Sequence, residues 1–299
     1  VQVPFNMFRA LTYLWEPEEV AFCLGYHILS PSIEEYSRLL QALPTSEGIY
    51  TPDLAQGPAH IISKILGVRR NQITQALQAC NEHSIRLSTL IDWFGTPEDF
   101  KKKREIFCIA PDAWEENRVN AFIVAAFATI LFPHGNLLIH YRVVELVAQY
   151  LAGKSYVPAL LAEQIRSLNH IKTKGRGRFK ASMHLMMIWF ASHTSYYGSS
   201  LANGALVSVY YNLVQSFIER IHMDDEEPVW NMIAMLEDMM PDDYIWQARW
   251  FKCPTAILGC KDYPAVPLIG ITGCTGYYSA GVIRQYGMLQ DIVVKPDLE

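Results

Sequence analysis

The sequence predicts a mainly α-helical protein, a compact multi-helix domain with small β elements near the N- and C-terminal ends. Three observations carry this expectation. Apolar residues recur at helical spacing through most of the chain, as in Ile33, Tyr36, Leu39, Leu40 and Leu43. Many of these stretches open on a capping residue or a proline and close on glycine or proline. Short β-type runs between Gly and Pro occur near the two ends, around 20–29 and 256–271. We expect one unit over residues 1–299, with a soft lobe boundary near 198–204.

Taken in order, residues 5–14 read as an amphipathic helix on Phe5, Phe8, Leu11 and Leu14, ended by Trp15 and Pro17. Val20 to Leu24 and His27 to Leu29 read as a hairpin around Gly25 and Tyr26. The next helix has two candidate starts. Ser30 can cap with Pro31 at the first position, or Ser32 and Glu35 can form a capping box. Pro44 stops it, and a loop follows to Gln56. A short helix at 58–66 closes on Gly67, and Asn71 is expected to cap another through Cys80. Ser84 to Phe94 continues as an apolar-faced helix ended by Gly95. Thr96, Pro97, Glu98 and Asp99 make a strong helix start.

Pro111 and Asp112 break the pattern. Trp114 to Phe132 then reads as a long helix whose second half is apolar almost all round, so it is expected to be central. Pro133 to Asn136 is a turn, and helices follow at 140–151 and 156–170. A basic turn leads into a core helix over 179–196, carrying Met183, Met186, Met187, Trp189 and Phe190. A small-residue loop spans 198–203, and helices are expected at 205–221 and 229–239. Beyond Pro241 the texture turns β-like, with Gly270, Gly273 and Gly276 implying tight turns or close backbone approach. A last helix is expected from Tyr278 to Met288.

The bulk composition narrows the function classes. With 51% hydrophobic residues the chain of 299 can build a large core, and seven Trp with sixteen Tyr suit cores and interfaces. The net charge of −5 argues against a nucleic-acid coat, whose binding draws on released counterions, and leaves only a local patch for that role. Six cysteines lack any CxxC pair, which predicts reduced, mostly buried thiols in an intracellular protein. The opening VQVPFNMF lacks the basic and apolar regions of a signal peptide. The apolar run Ala121–Phe132 is well short of the ~20 residues that span a bilayer, so no membrane role is expected.

Tests for chemistry come back empty. Nine histidines include no HExxH and no zinc-spaced cluster, so no metal site is expected. The acidic runs Asp224–Glu227 and Asp242–Asp243 each precede a helix, where carboxylates oppose the helix dipole. There is no Walker loop, no dinucleotide glycine pattern and no GxSxG elbow. We therefore expect neither a cofactor nor an enzyme.

One stretch does carry concentrated charge. Arg166, His170, Lys172, Lys174, Arg176, Arg178 and Lys180 follow Glu163 with no further acid among them. Arg166, Lys172, Lys174, Arg176, Arg178 and Lys180 are the candidate partner- or anion-binding residues. Two mobile glycines, Gly175 and Gly177, would let the backbone approach a phosphate. The competing structural reading is a solvated connection, with Arg176 or Arg178 paired to an acid elsewhere. Lys101 to Arg104 reads as a solvated helix face before it reads as a nuclear-import cluster.

The opening LTYLWEPEEVAFCLGYHILSPSIEEYSRLL resembles the start of plant mobile domain proteins and of a related plant transposon-associated domain of unknown function. The matching positions are Trp15, Phe22, Ser30, Pro31, Ser32, Glu34 and Glu35. IDWFG at 91–95, FATILFP at 127–133, VPALLAEQIRSL at 157–168 and GRGRFKASMHLMMIWFASH at 175–193 are similar too, as is the closing VPLIGITGCTGYYSAGVIRQYG. The resemblance implies a nuclear factor derived from a transposable element, active in gene silencing and expression. It implies a protein partner, a serine/threonine phosphatase in some members. An older family label, "aminotransferase-like", finds no glycine loop with a Schiff-base lysine here. The expectation is a non-enzymatic protein-interaction module; the alternative is a nucleic-acid-binding accessory domain of a plant retroelement.

Overall fold

The N-terminal helix forms where the apolar period begins. Helix α1 (Phe5–Leu14) buries Met7, Phe8, Leu11 and Leu14. The computed structural model describes residues 5–42, 47–95, 100–194, 228–248 and 265–287. The expected helix start at 96–99, the loop and lobe boundary near 198–204, the helix at 205–221, the acidic run at 224–227 and the β run at 256–258 lie outside these residues.

The predicted hairpin is present and gains a strand. β1 (Trp15–Glu16), β2 (Ala21–Leu24) and β3 (His27–Leu29) form one antiparallel sheet, in which Trp15 pairs with Phe22 and Phe22 with Leu29. Trp15 therefore continues into a sheet as well as ending a helix; its ring meets Phe22 edge-on at 4.9 Å. At the turn, Gly25 has φ +60° and lies against the Glu237 carbonyl, where any side chain would collide.

Of the two candidate starts for α2 (Ile33–Leu39), Ser32 is the cap. Its hydroxyl accepts from the Glu35 N–H at 3.1 Å and donates to the Glu35 carboxylate at 2.9 Å. The helix ends at Leu40, before Pro44, because Gln41 turns left-handed at φ 52°. α3 (Pro58–Leu66) closes on left-handed Gly67 as expected. α4 (Arg70–Gln78) begins earlier than predicted: Arg69 stands at the cap, and Asn71 lies inside the first turn.

Two further corrections reshape the middle of the chain. Ser84 to Arg86 is a strand, β4, not the first turn of a helix; only Leu87–Phe94 is helical, as α5. β4 pairs antiparallel with β5 (Leu138–His140), opposing Ile85 to Ile139 and Ser84 to His140. The β-branched pair is fully buried there, and that burial overrides the local helical period. After α6 (Phe100–Phe107), Pro111 is the first residue of α7 (Pro111–Ala126), not a break, since proline suits that position. α7 runs into a π-helical turn at Phe127–Leu131.

α7 is also not the central helix. Val119, Phe122 and Ile130 are exposed, while Trp114, Ala121 and Val124 are buried. The central place goes to α9 (Val157–Lys174), which follows α8 (Tyr141–Leu151). From Val157 to Ile165 every residue of α9 is buried, including Glu163 and Gln164. Those polar groups are satisfied by distant partners. The Tyr36 hydroxyl donates to Gln164 at 2.7 Å, and Glu163 accepts from the Thr272 N–H at 2.6 Å. Polar side chains that bond across the core hide a central helix from any reading based on apolar period.

The C-terminal half closes over this core. α10 (Met183–Ser192), shorter than the predicted 179–196, buries Met186, Met187, Trp189 and Phe190, with Met183 half-buried at its start. α11 (Val229–Glu237) packs on α1 and β2. β6 (Ala265–Ile269) and β7 (Cys274–Tyr278) form a hairpin against α9, followed by α12 (Ser279–Tyr286). The fold is mainly α with small β elements near the N and C termini, joined by the β4–β5 pair.

Candidate functional site

The basic stretch is not one surface turn. α9 extends to Lys174, so Lys172 and Lys174 belong to its last turn, and left-handed Gly175 caps it, donating to the Ile171 carbonyl at 2.9 Å. The chain is pinned again at Phe179, whose ring meets Phe8 edge-on at 5.1 Å, and at Lys180, whose N–H donates to the Ser167 hydroxyl at 3.0 Å. Between these anchors, residues 175–178 are exposed.

The six candidate cations therefore go three ways. Arg166 turns inward: its guanidinium donates to the Cys274 carbonyl at 3.0 Å and the Thr272 carbonyl at 3.3 Å, clamping the β6–β7 turn. Gly270 sits tightly there: a Cβ on it would fall 2.5 Å from Glu163 Oε1, which accounts for the predicted close approach. Lys172 donates to the Tyr13 carbonyl and lies 5.2 Å from the centre of that ring. Lys174, Arg176, Arg178 and Lys180 remain, and among the described residues no carboxylate forms an ion pair with them.

Arg178 and Lys180 join a second group that lies far away in sequence. The Arg178 guanidinium packs against Gly135, next to His134. The β4–β5 pair brings His83 beside His140, ring centres 6.3 Å apart, and His140 stacks on Tyr141 at 4.9 Å. The Arg142 N–H donates to His140 Nδ1 at 3.3 Å, and the Arg142 guanidinium lies 5.1 Å from the Tyr141 ring centre. Burial, then the charges of His134, His83, Arg142 and Lys180, push His140 down to about 4. Among the described residues Glu145 pairs with a member of this group, 3.3 Å from Arg142, and it is shared with Tyr50 and the Asp53 N–H.

An apolar groove opens between α5 and α7. Leu90, Ile91 and Phe94 form one wall and Val119, Phe122 and Ala125 the other, around about 420 Å³. Phe122 is 74% exposed. The Arg118–Glu115 pair, 2.8 Å apart, stands at the rim, with the Arg118 guanidinium 4.0 Å from the Phe100 ring centre.

A fourth feature is wholly buried. His193 Nδ1 lies 2.6 Å from the Ile245 carbonyl, which only accepts, so this nitrogen carries a hydrogen. His193 Nε2 is 3.0 Å from Glu35 Oε1, an ion-pair distance without aligned hydrogen-bond geometry. Both side chains have no exposed surface. The pair ties α2 to the end of α10.

The apolar groove and the histidine-centred cluster were not visible in the sequence. Their signals were present but scattered: a helix apolar on more faces than it can bury, and histidines near two turns. Among the described residues no group of His, Cys, Asp and Glu is arranged to hold a metal, and no helix is long and apolar enough to cross a membrane. Cys23 and Cys80 are half-buried and Cys108 and Cys274 exposed, so the free thiols described are less buried than expected. A family model described as a domain of unknown function, DUF7745, matches residues 1–298. No curated protein and no solved structure matches the chain.

Proposed function

The chain belongs to the DUF7745 family of domains, and from that premise we propose that it is a non-enzymatic protein-interaction module of the plant mobile domain type. The observation that carries this reading is the α5–α7 groove. An exposed aromatic beside further apolar side chains is costly to leave in water, and such patches mark contact surfaces. Phe122, 74% exposed at the groove wall, is the natural anchor, because aromatic side chains dominate binding energy at protein interfaces. The family match supports treating the whole chain as one unit. The wider resemblance supports a nuclear, transposon-derived factor in gene silencing or expression, with a serine/threonine phosphatase as the candidate partner.

A second reading, a nucleic-acid-binding accessory domain of a retroelement, draws on the exposed Lys174 and Arg176, which have no carboxylate partner among the described residues. One experiment separates the two. The tagged chain is purified from plant nuclei with and without nuclease, as wild type and as Phe122→Glu. The protein-module reading expects partners that survive nuclease and are lost in Phe122→Glu, with an unchanged melting curve. Partners that vanish with nuclease and persist in Phe122→Glu overturn it in favour of nucleic acid.

A further inference from the structure

We propose that His83, His134, His140, Arg142, Arg178 and Lys180 form a site for a phosphate monoester, carried as a phosphorylated side chain on the protein partner. The proposal rests on the interaction-module reading and adds the chemistry that the partner must present.

Three segments distant in sequence converge: β4 with His83, the His134–Arg142 stretch, and the chain between α9 and α10 with Arg178 and Lys180. The groups acting on His140 are His134 from the adjoining turn, His83 just ahead of the paired strand, Arg142 from α8 and Lys180 ahead of α10; all carry or can gain positive charge. Glu145 relieves only Arg142 and is occupied by Tyr50 and the Asp53 N–H. Arg178 and Lys180 have no carboxylate partner among the described residues, so they leave local positive charge that a bound dianion would neutralise.

The donors suit that ligand. Imidazole, guanidinium and ammonium groups present N–H donors, the set that recognises phosphate oxygens. Ser84 adds a hydroxyl: it is fully buried, has no hydrogen-bond partner among the described residues, and stands opposite His140 in the strand register, which places both side chains on one face. The loop beneath Arg178 is itself strained, with Asn136 and Leu137 both left-handed at φ 62° and 52°.

Shape selects a monoester over a nucleic-acid strand. The cations come from three separate segments of the chain, not from successive turns of one helix. A polyanion gains affinity from many spaced phosphate contacts, and the net charge of −5 opposes its long-range attraction. A compact dianion needs only the local cluster. The site also adjoins the groove in sequence, because β4 leads directly into α5.

The test uses the full chain and three probes at constant ionic strength: inorganic phosphate, a neutral peptide bearing one phosphoserine, and a mixed-sequence single-stranded oligonucleotide. Wild type is compared with the double variant Arg178→Gln, Lys180→Gln, which should melt normally in chloride because Arg178 is exposed and Lys180 bonds through its backbone. The expected result is that phosphate raises the melting temperature above a chloride control and that the phosphopeptide binds while its unphosphorylated form does not. The double variant should bind the phosphopeptide about tenfold more weakly or worse, the loss of at least ~1.4 kcal/mol. No effect of phosphate beyond chloride overturns the site. An oligonucleotide that binds more tightly than the phosphopeptide, with a steep salt dependence, replaces the ligand with nucleic acid. The two readings fail separately: lost phosphate binding with partner capture intact sinks only the site. Lost capture in nuclease-treated extract, with phosphate binding intact, sinks only the module.

Discussion

Trp189 donates its indole N–H to the Glu35 carboxylate at 2.8 Å, joining α10 to α2 across more than half the chain. Both side chains are fully buried. Glu35 also receives the Ser32 hydroxyl and faces His193 at 3.0 Å, so one carboxylate organises the helix cap, a core tryptophan and the end of α10. Ser32 in turn lies 2.5 Å from the Tyr286 hydroxyl, which extends the network to the last described helix.

Removing that carboxylate should therefore be costly. Glu35→Ala leaves the Trp189 indole N–H and the Ser32 hydroxyl without their acceptor, and leaving a buried donor unsatisfied typically costs ~1–3 kcal/mol. Glu35→Gln keeps an oxygen for the indole and should lose distinctly less. Urea denaturation of the two variants checks this. If Glu35→Ala unfolds at the wild-type midpoint, the network is ornamental and the core is held by Trp189 packing alone.

The basic stretch should divide in two under mutation. Reversing Lys174 and Arg176 to Glu should leave the midpoint within about 0.5 kcal/mol, because both side chains are exposed and unpaired among the described residues. Arg166→Ala should cost ~1–3 kcal/mol, since it strips two carbonyls of the β6–β7 turn of their charged donor. Thermal melts of the two variants, side by side, decide it. Equal losses would mean that residues 174–176 are structural and unsuited to bind a partner.

How much of this was legible in the sequence follows from which forces are local. The Ser32–Glu35 capping box, the Gly67 helix stop and the β2–β3 hairpin are short-range, and the residues announce them. β4 is hidden in the sequence because Ile85 fits a helical apolar face as well as a strand, and only its partner Ile139 decides. α7 was misplaced for a different reason. Apolar residues on every face suggest burial, yet Phe122 and Ile130 stay exposed because no neighbour among the described residues covers them. Of the candidate site, the cations of the basic stretch were visible. That Arg166 points inward, and that Arg178 and Lys180 meet His134 and His140, depends on long-range pairing that no local pattern encodes.

The last prediction concerns His140. Its folded value is pulled down from 6.5 to about 4, first by burial and then by the surrounding cations. The unfolded chain therefore takes up a proton near 6.5 that the folded chain refuses until about 4. Stability from this group is fully present above 6.5, falls as pH drops towards 4, and levels off below. The slope in that window approaches ~1.4 kcal/mol per pH unit. His140→Gln removes the titration while keeping an acceptor for the Arg142 N–H, so its stability should fall less steeply on acidification than that of wild type. Urea midpoints taken from neutral pH down to about pH 5 measure the difference, in which acid effects on the buried carboxylates common to both proteins cancel. Parallel curves would mean that His140 protonates freely in the folded state, despite its burial and the positive charges around it.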